Sequence, residues 1–564
     1  MEAILVVLAV LLFALWVGDD VYRRLIVPAA PLNFDEAAHS LPGFYILRDV
    51  RNLDLRALWG DTHIQTLWPP GFSYLQAPFL AILGRSDEAA RLFAYIMLVL
   101  TVLMAYPIAR EIRPDLAPLA TWISALFTFS APGWLFVSSW AMQETPVAFV
   151  LFGVFWLYLR AHNTGRLGWY VATSVGFFFL FLTKYNYAAF AVAAVGLVDG
   201  VMRVRNMISF PVGQGDPPLT PPKGRGILFS LLRQLLSPEF VLLYLPFGLG
   251  LAFWFLGGTD IVPTAVKWRD FRFFVTNEDS GYTFWSAQNL LFYVRVAAEW
   301  LMPHWSVLLL AVGLVALAVL RIRRAGVLLL AVFFGLGFVL ATVHQLKAER
   351  YITPLFPSLW LLAGLGGAFG MDRLTTALSS QASIVKTVWD FRAVGITLLF
   401  IYTLYAQTLP RLQPVWAGES AHGLRAAAVQ IVRWQDPARD TLIIGTFGEL
   451  SPPLFEWRLR PLPAYAGDQP HGEIQYDAPP GEGNDLQRVA TWTKQNPGTQ
   501  ITLIQVDVSA ALYNTNDMRN KNAGRQTLAA EVEANLVSLG ERGYRLADQE
   551  MLPGGIKISY YLPN

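Results

Sequence analysis

With 54% of its 564 residues hydrophobic and only 15% charged, the chain carries more apolar side chain than a water-soluble globular protein can keep out of solvent, and it is expected to be an integral membrane protein. A formal net charge of +2 gives no bulk basic field, so no nucleic-acid partner is expected, and the basic residues must be read by position. The absence of cysteine excludes disulfides, thiolate catalysis and cysteine metal sites together.

The apolar N-terminus, Met1 to Val17, has no basic n-region, and Asp19 and Asp20 follow where a small-residue cleavage site would lie. It reads as a retained first span rather than a cleaved signal peptide. Eleven stretches approach the length of about 20 mostly apolar residues that a bilayer-crossing helix needs. They lie near 3–18, 90–108, 117–137, 145–160, 168–183, 186–201, 239–257, 305–320, 326–343, 352–370 and 394–409. With the N-terminus cytoplasmic, every inside loop is basic, from Arg110 and Arg113 to Arg373, Lys386 and Arg392, as the positive-inside rule requires. The outer segments then hold Asp35, Glu144, Lys184, the 258–304 loop and the run from His344 to Arg350. The fold class expected is a multi-pass α-helical membrane domain over 1–410 and a C-terminal soluble α/β domain over 411–564, outside the cytoplasm.

The first outer loop, 19–89, is long and aromatic, with Phe44, Tyr45, Trp59, Trp68, Phe72 and Tyr74, as expected of short helices in the interface plane. Pro42-Gly43 and Pro69-Pro70-Gly71 are expected to punctuate it. The Pro/Gly-rich inside loop 206–224 reads as a linker and 226–236 as an amphipathic surface helix. From about 411 the pattern gives helices at 421–434, 484–495 and 527–540, and strands at Thr441–Phe447, Ile501–Val506, Tyr544–Glu550 and Ile556–Tyr561. The 463–483 segment is expected to be a long loop.

Five polar groups stand out against this background. In Asn33-Phe34-Asp35-Glu36-Ala37-Ala38-His39, a helix would put Asp35 and His39 on one face, while the plainer alternative makes Asn33 a cap and the two acids complements to the helix dipole. The stretch His63 to Phe72 has a rigid proline pair and a stacking face at Trp68, which suits either a substrate cleft or an interfacial turn. Glu144 precedes Thr145-Pro146, where Thr145 is a fair N-cap and Pro146 suits the first helical turn, and the acid itself fits a second carboxylate at the outer face. Lys184 at the end of a span fits a site cation or a side chain reaching for headgroups. In His344-Gln345-Leu346-Lys347-Ala348-Glu349-Arg350-Tyr351, Lys347 and Arg350 would share a helical face with Tyr351 beside them, a fork suited to a phosphate or to anionic lipid.

Taken together, Phe34-Asp35-Glu36-Ala37-Ala38-His39, Trp68-Pro69-Pro70, Leu182-Thr183-Lys184, and Lys347-Ala348-Glu349-Arg350-Tyr351 followed by Pro354 and Pro357 resemble the GT-C class of membrane glycosyltransferases that use polyprenyl-phosphate sugars. The dolichyl-phosphate-mannose protein mannosyltransferases and the lipid A aminoarabinose transferases are the nearest in pattern. The sequence departs from many of them where a lysine flanks the proline pair, since Trp68 precedes it here and Gly71-Phe72-Ser73 follow. The resemblance implies a GT-C fold, a polyprenyl-phosphate sugar donor, a protein, lipid or glycan acceptor, and a site on the extracytoplasmic face. It makes Asp35 the catalytic base with Glu36 beside it, and makes Lys347, Arg350, Tyr351 and Lys184 the donor-phosphate residues. His39, Trp68, Glu144 and His344 then contact substrate. A departing lipid phosphate needs positive charge, and an acceptor hydroxyl needs a base, so one base without a protein nucleophile implies inversion. No cofactor is expected, although Asp35, Glu36 and His39 are of the kind that hold Mg or Mn. The competing readings are a transporter or lipid-linked sugar flippase, which calls for mid-membrane charges and inverted repeats, and a scaffold, for which one span would suffice.

Overall fold

The computed structural model describes residues 2–208, 237–276, 286–301, 325–344, 347–378, 397–413, 418–446, 450–459, 474–476, 485–506, 516–536 and 543–564. These fall into two compact units, one of Met1–Tyr22, Pro42–Arg85 and Ala89–Leu412, the other of Arg23–Leu41, Ser86–Glu88 and Gln413–Asn564.

The first unit is helical. Among the described residues seven helical segments are long and apolar enough to cross a membrane, within Ile4–Ile26, Asp87–Ile112, Glu144–Thr164, Tyr185–Arg203, Pro238–Leu256, Ala325–Val343 and Glu349–Arg373. The segment expected at 117–137 is broken into helices Ala117–Ser130 and Pro132–Ser138, bent by 77°. The cause is local: Pro132 has no N–H to continue the ladder and drives Ala131 out of helical backbone to φ −85°, ψ 110°. Leu167–Thr183 is a shorter apolar helix, and 397–403 is helical and runs into a π-turn at Leu404–Thr408. The span expected at 305–320 lies outside the described residues, as do most of the 206–224 linker and the 226–236 helix. Fully 94% of the Glu349–Arg373 window is buried by protein against 17% of the Pro238–Leu256 window, so the former is enclosed by other parts of the protein and the latter largely exposed.

Residues 42–85, most of the long loop expected after the first span, are helical too, at Leu55–His63 and Gly71–Leu83. Pro42-Gly43 does not break the chain: both lie inside helix Phe34–Asn52, with Gly43 packed so closely on Gln76 that a Cβ would sit 2.6 Å from its Oε1. The 258–304 segment holds helices Thr264–Thr276 and Ala287–Val296.

The second unit is a five-stranded mixed sheet in the order β2-β1-β3-β5-β4, formed by β1 (Thr441–Ile444), β2 (Ile474–Tyr476), β3 (Gln500–Gln505), β4 (Tyr544–Leu552) and β5 (Ile556–Pro563). The β2, β1 and β3 strands are parallel; β3, β5 and β4 are antiparallel. Leu442, Ile444, Ile501 and Leu503 point to one face, where Val489, Leu528, Ala529 and Val532 from helices Asp485–Gln495 and Asn516–Asn535 close the core. Helix Gly418–Trp434 packs against β4 and β5 through an apolar stripe at Ala421, Leu424, Ala428 and Ile431. Two expectations need correction. The last helix begins at Asn516, a full two turns or more before 527, because its first turns are polar and carry no apolar period. The 463–483 segment is not all loop, since Ile474–Tyr476 adds a short edge strand to β1.

Candidate active site

In the helical unit, buried Glu144 and Lys184 and half-buried Arg350 form one charge cluster. Lys184 Nζ donates to Glu144 Oε1 at 2.8 Å, and Arg350 Nε lies 3.6 Å from the same oxygen. Glu144 is 1% exposed. Two cations approach one carboxylate in surroundings where electrostatic interactions are weakly screened. Aromatic rings frame it: Lys184 Nζ lies 5.3 Å from the Tyr351 ring centroid and 5.8 Å from that of Tyr187, and the Tyr187 hydroxyl donates to the Tyr351 carbonyl.

Each member stands at a helix end. Glu144 opens Glu144–Thr164, so Thr145 is the second helical residue and not its cap, contrary to expectation. Lys184 sits in extended backbone, φ −163° and ψ 118°, between helices Leu167–Thr183 and Tyr185–Ile208. Arg350 lies in the 3-10 turn Glu349–Leu355 that leads into helix Phe356–Leu378. The cluster therefore occupies one end of the bundle.

Lys347 is placed differently from the fork read in the sequence. Ala348 is extended, so Lys347 and Arg350 share no helical face. Lys347 Nζ donates to the Ala341 and Thr342 carbonyls at 2.8 and 2.7 Å and lies 4.7 Å from the Tyr293 ring centroid, capping helix Ala325–Val343. Burial lowers its pKa to about 8. His344 closes the same helix end.

A second buried group was missed in the sequence. Lys267, fully buried, places Nζ 3.0 Å from His63 Nδ1 and donates to the Trp254 and Gly257 carbonyls at 2.8 and 2.5 Å. His63 stacks on Trp254 at 19° and is pressed against Gly258, whose φ of +60° and absent Cβ allow the approach: a Cβ there would lie 2.4 Å from His63 Cγ. Burial, and next the Lys267 charge, lower the His63 pKa to about 4, so the ring is neutral at pH 7. The sequence signal was a Lys and an Asp three apart, Lys267 and Asp270, in a helix that also carries Trp268, Phe271, Phe273 and Phe274.

A third group is acidic. Arg48 donates to Asp49 Oδ1 at 2.9 Å and to Asp61 Oδ2 at 3.1 Å. Burial, and next a hydrogen bond with Asp49, push the Asp61 carboxyl up to about 6. The folded protein holds this proton more tightly than an unfolded carboxyl titrating near ~3.9. The associated stability is therefore fully present below about pH 4 and lost as pH rises through about 6. Asp61→Asn is expected to remove a fall in unfolding free energy of about 1 kcal/mol between pH 5 and pH 7, after discounting for partial exposure, as read by thermal melts at both pH values.

Asp35, Glu36 and His39 belong to the other unit, in the first turns of helix Phe34–Asn52. Asn33 and Glu36 form a reciprocal cap: Glu36 N donates to Asn33 Oδ1 at 3.0 Å, and Asn33 N to Glu36 Oε2 at 3.1 Å. Glu36 is thus committed to helix initiation, while Asp35 is half-buried and His39 buried, on the shared face expected. Trp68 is half-buried in the helical unit, just before the Pro69-Pro70 pair that starts helix Gly71–Leu83. Among the described residues no three or more His, Asp or Glu side chains are grouped so as to hold a metal ion, and Glu36, one of the three the sequence offers, is occupied by Asn33.

Residues 68–207 match the family described as dolichyl-phosphate-mannose-protein mannosyltransferase. That stretch contains Trp68, Glu144 and Lys184. No curated protein matches the sequence. The structure of ArnT from Cupriavidus metallidurans bound to undecaprenyl phosphate is similar at a TM-score of 0.55 and 15% identity, over 98% of this chain and 97% of that one. The apo form of ArnT from the same organism is similar at 0.55 and 14%, over 99% and 97%. These likenesses agree with the resemblance read from the residues, and the chain is a multi-pass membrane protein with the GT-C fold, similar to the glycosyltransferases built on it.

Proposed function

We propose that the chain is an integral membrane glycosyltransferase that moves a sugar from a polyprenyl-phosphate donor to an acceptor hydroxyl on the extracytoplasmic face, with inversion. The observation that carries this reading is the Glu144–Lys184–Arg350 cluster, where a lysine and an arginine converge on one buried carboxylate, a pair of cations suited to a lipid-linked phosphate. The matched mannosyltransferase segment and the undecaprenyl phosphate named in the ArnT structure support the donor class.

In this reaction Asp35 takes the proton from the acceptor hydroxyl as its oxygen bonds to the anomeric carbon. The bond from that carbon to the phosphate oxygen breaks, and its electron pair leaves with the lipid phosphate. Lys184 and Arg350 carry the developing charge, with Tyr351 beside them. Lys347 supports that end of the bundle from the Ala341 and Thr342 carbonyls, and His39, Trp68 and His344 are the further substrate contacts we assign. Glu36 holds the helix that presents Asp35. No step requires a metal, because a phosphate is already a competent leaving group once its charge is met.

The test is mass spectrometry of envelope glycolipids and glycoproteins from a deletion strain complemented with wild type, Asp35→Asn or Lys184→Ala. Wild type restores a glycoform that both variants fail to restore while inserting normally. Full restoration by Asp35→Asn removes the base from the scheme; no glycan difference between deletion and wild type favours a transporter.

A further inference from the structure

The helix Thr264–Thr276 meets the first-loop segment His63–Thr66 at two points in matching register. Lys267 and Asp270 are three residues apart, as are His63 and Thr66, and the pairs are Lys267 with His63 and Asp270 with Thr66. Both pairs are buried. The Thr66 hydroxyl donates to Asp270 Oδ2 at 2.5 Å, while the Thr66 carbonyl accepts from the Tyr185 hydroxyl at 2.9 Å. Tyr185 is the neighbour of Lys184. On the other side, Gly71 lies against the backbone just before Lys184, where a Cβ would come within 2.7 Å of the Leu182 carbonyl. The extended break at Lys184 is therefore held by Thr66 through Tyr185 and by Gly71 through Leu182 and Thr183.

We infer that Asp270 is a positioning residue for Lys184, acting through Thr66 and Tyr185, so that the outer-loop helix Thr264–Thr276 sets the geometry of the phosphate-binding cation. The inference rests on the proposed function for the identity of the ligand, but the latch itself does not. A cation on an interrupted helix has a soft backbone; a hydrogen bond from a neutral hydroxyl to a buried carboxylate is strong enough to fix it. The Asp270 carboxylate also accepts from Arg269 at 3.0 Å, so loss of Thr66 leaves it paired with a cation, and the latch can be opened without stranding a charge.

The experiment uses the full chain in detergent or nanodiscs, with Thr66→Val, Asp270→Ala, the double variant and Thr66→Ser. Two readouts are taken: the rate at which an amine-reactive acylating reagent modifies Lys184, followed by peptide mass spectrometry, and the Kd for undecaprenyl phosphate. Thr66→Val and Asp270→Ala are each expected to speed Lys184 modification severalfold and weaken undecaprenyl phosphate about 10-fold. The double variant is expected to be no worse than the poorer single, since both open one contact. Thr66→Ser, which keeps the hydroxyl, stays within about twofold of wild type on both readouts. A merely structural role would lower the melting temperature without moving Lys184 reactivity. Unchanged Lys184 reactivity in folded Thr66→Val and Asp270→Ala overturns the inference. Failure of the wild type to bind undecaprenyl phosphate overturns the proposed donor instead, and the Lys184 readout still decides the latch.

Discussion

Asp35→Asn is expected to lower turnover by roughly 10²- to 10⁴-fold with the protein folded and donor affinity unchanged, the range that loss of a positioned general base produces. Amide replaces carboxylate at nearly constant shape, so the helix start is retained. Its neighbour provides the control. Glu36 reciprocates the Asn33 cap, and Glu36→Ala should cost about 1 kcal/mol of stability through that cap. The two adjacent acids then separate cleanly: one substitution moves the rate at constant melting temperature, the other moves the melting temperature. Single-turnover assays with excess enzyme distinguish a slowed chemical step from weakened donor binding. If Asp35→Asn kept wild-type turnover, the base would have to be sought elsewhere.

Glu144→Ala carries the second large effect. It removes the buried carboxylate that Lys184 and Arg350 both approach, and removal of one partner of a buried ion pair such as Glu144–Lys184 costs about 3–5 kcal/mol. The cost is mainly that of uncompensated charge, so Glu144→Ala combined with Lys184→Met should be less damaging than the sum of the two single changes. Melts of the four proteins in one detergent measure this. Added polyprenyl phosphate should recover part of the Glu144→Ala loss, because a bound anion supplies the missing charge and stabilises by mass action. Equal melting temperatures for Glu144→Ala and wild type would show that the cluster is solvated and the burial argument wrong.

How much of this was readable in the residues depends on the distance over which each feature is decided. Helix spans follow from runs of apolar residues, which need no partner to identify, and the break at Ala131 followed by Pro132 is a one-residue event. The Asn33 cap is likewise local, spanning three residues, and was open from the start as the plain alternative. Lys347 and Arg350 are close in sequence yet share no helical face, because Ala348 between them is extended and no helix runs through both. The strand Ile474–Tyr476 was hidden for a related reason: three residues beside prolines and glycines acquire strand character only by pairing with β1.

The sequence by itself determined that the chain is a membrane protein with an α/β domain after its helical part. It also singled out Glu144, Lys184 and Arg350 as polar residues at span ends, since burying a charge in lipid is costly enough to mark each of them alone. Which of them meet was decided only by the tertiary structure. Glu144 and Lys184 are 40 residues apart, and the two contacts that seat Thr264–Thr276 on the first loop each join residues 204 apart. No local propensity encodes such a pairing. It exists because helices of fixed length, packed side by side, bring their ends to one level, where a buried carboxylate is stable only beside a cation and a buried lysine only beside carbonyls and a neutral imidazole.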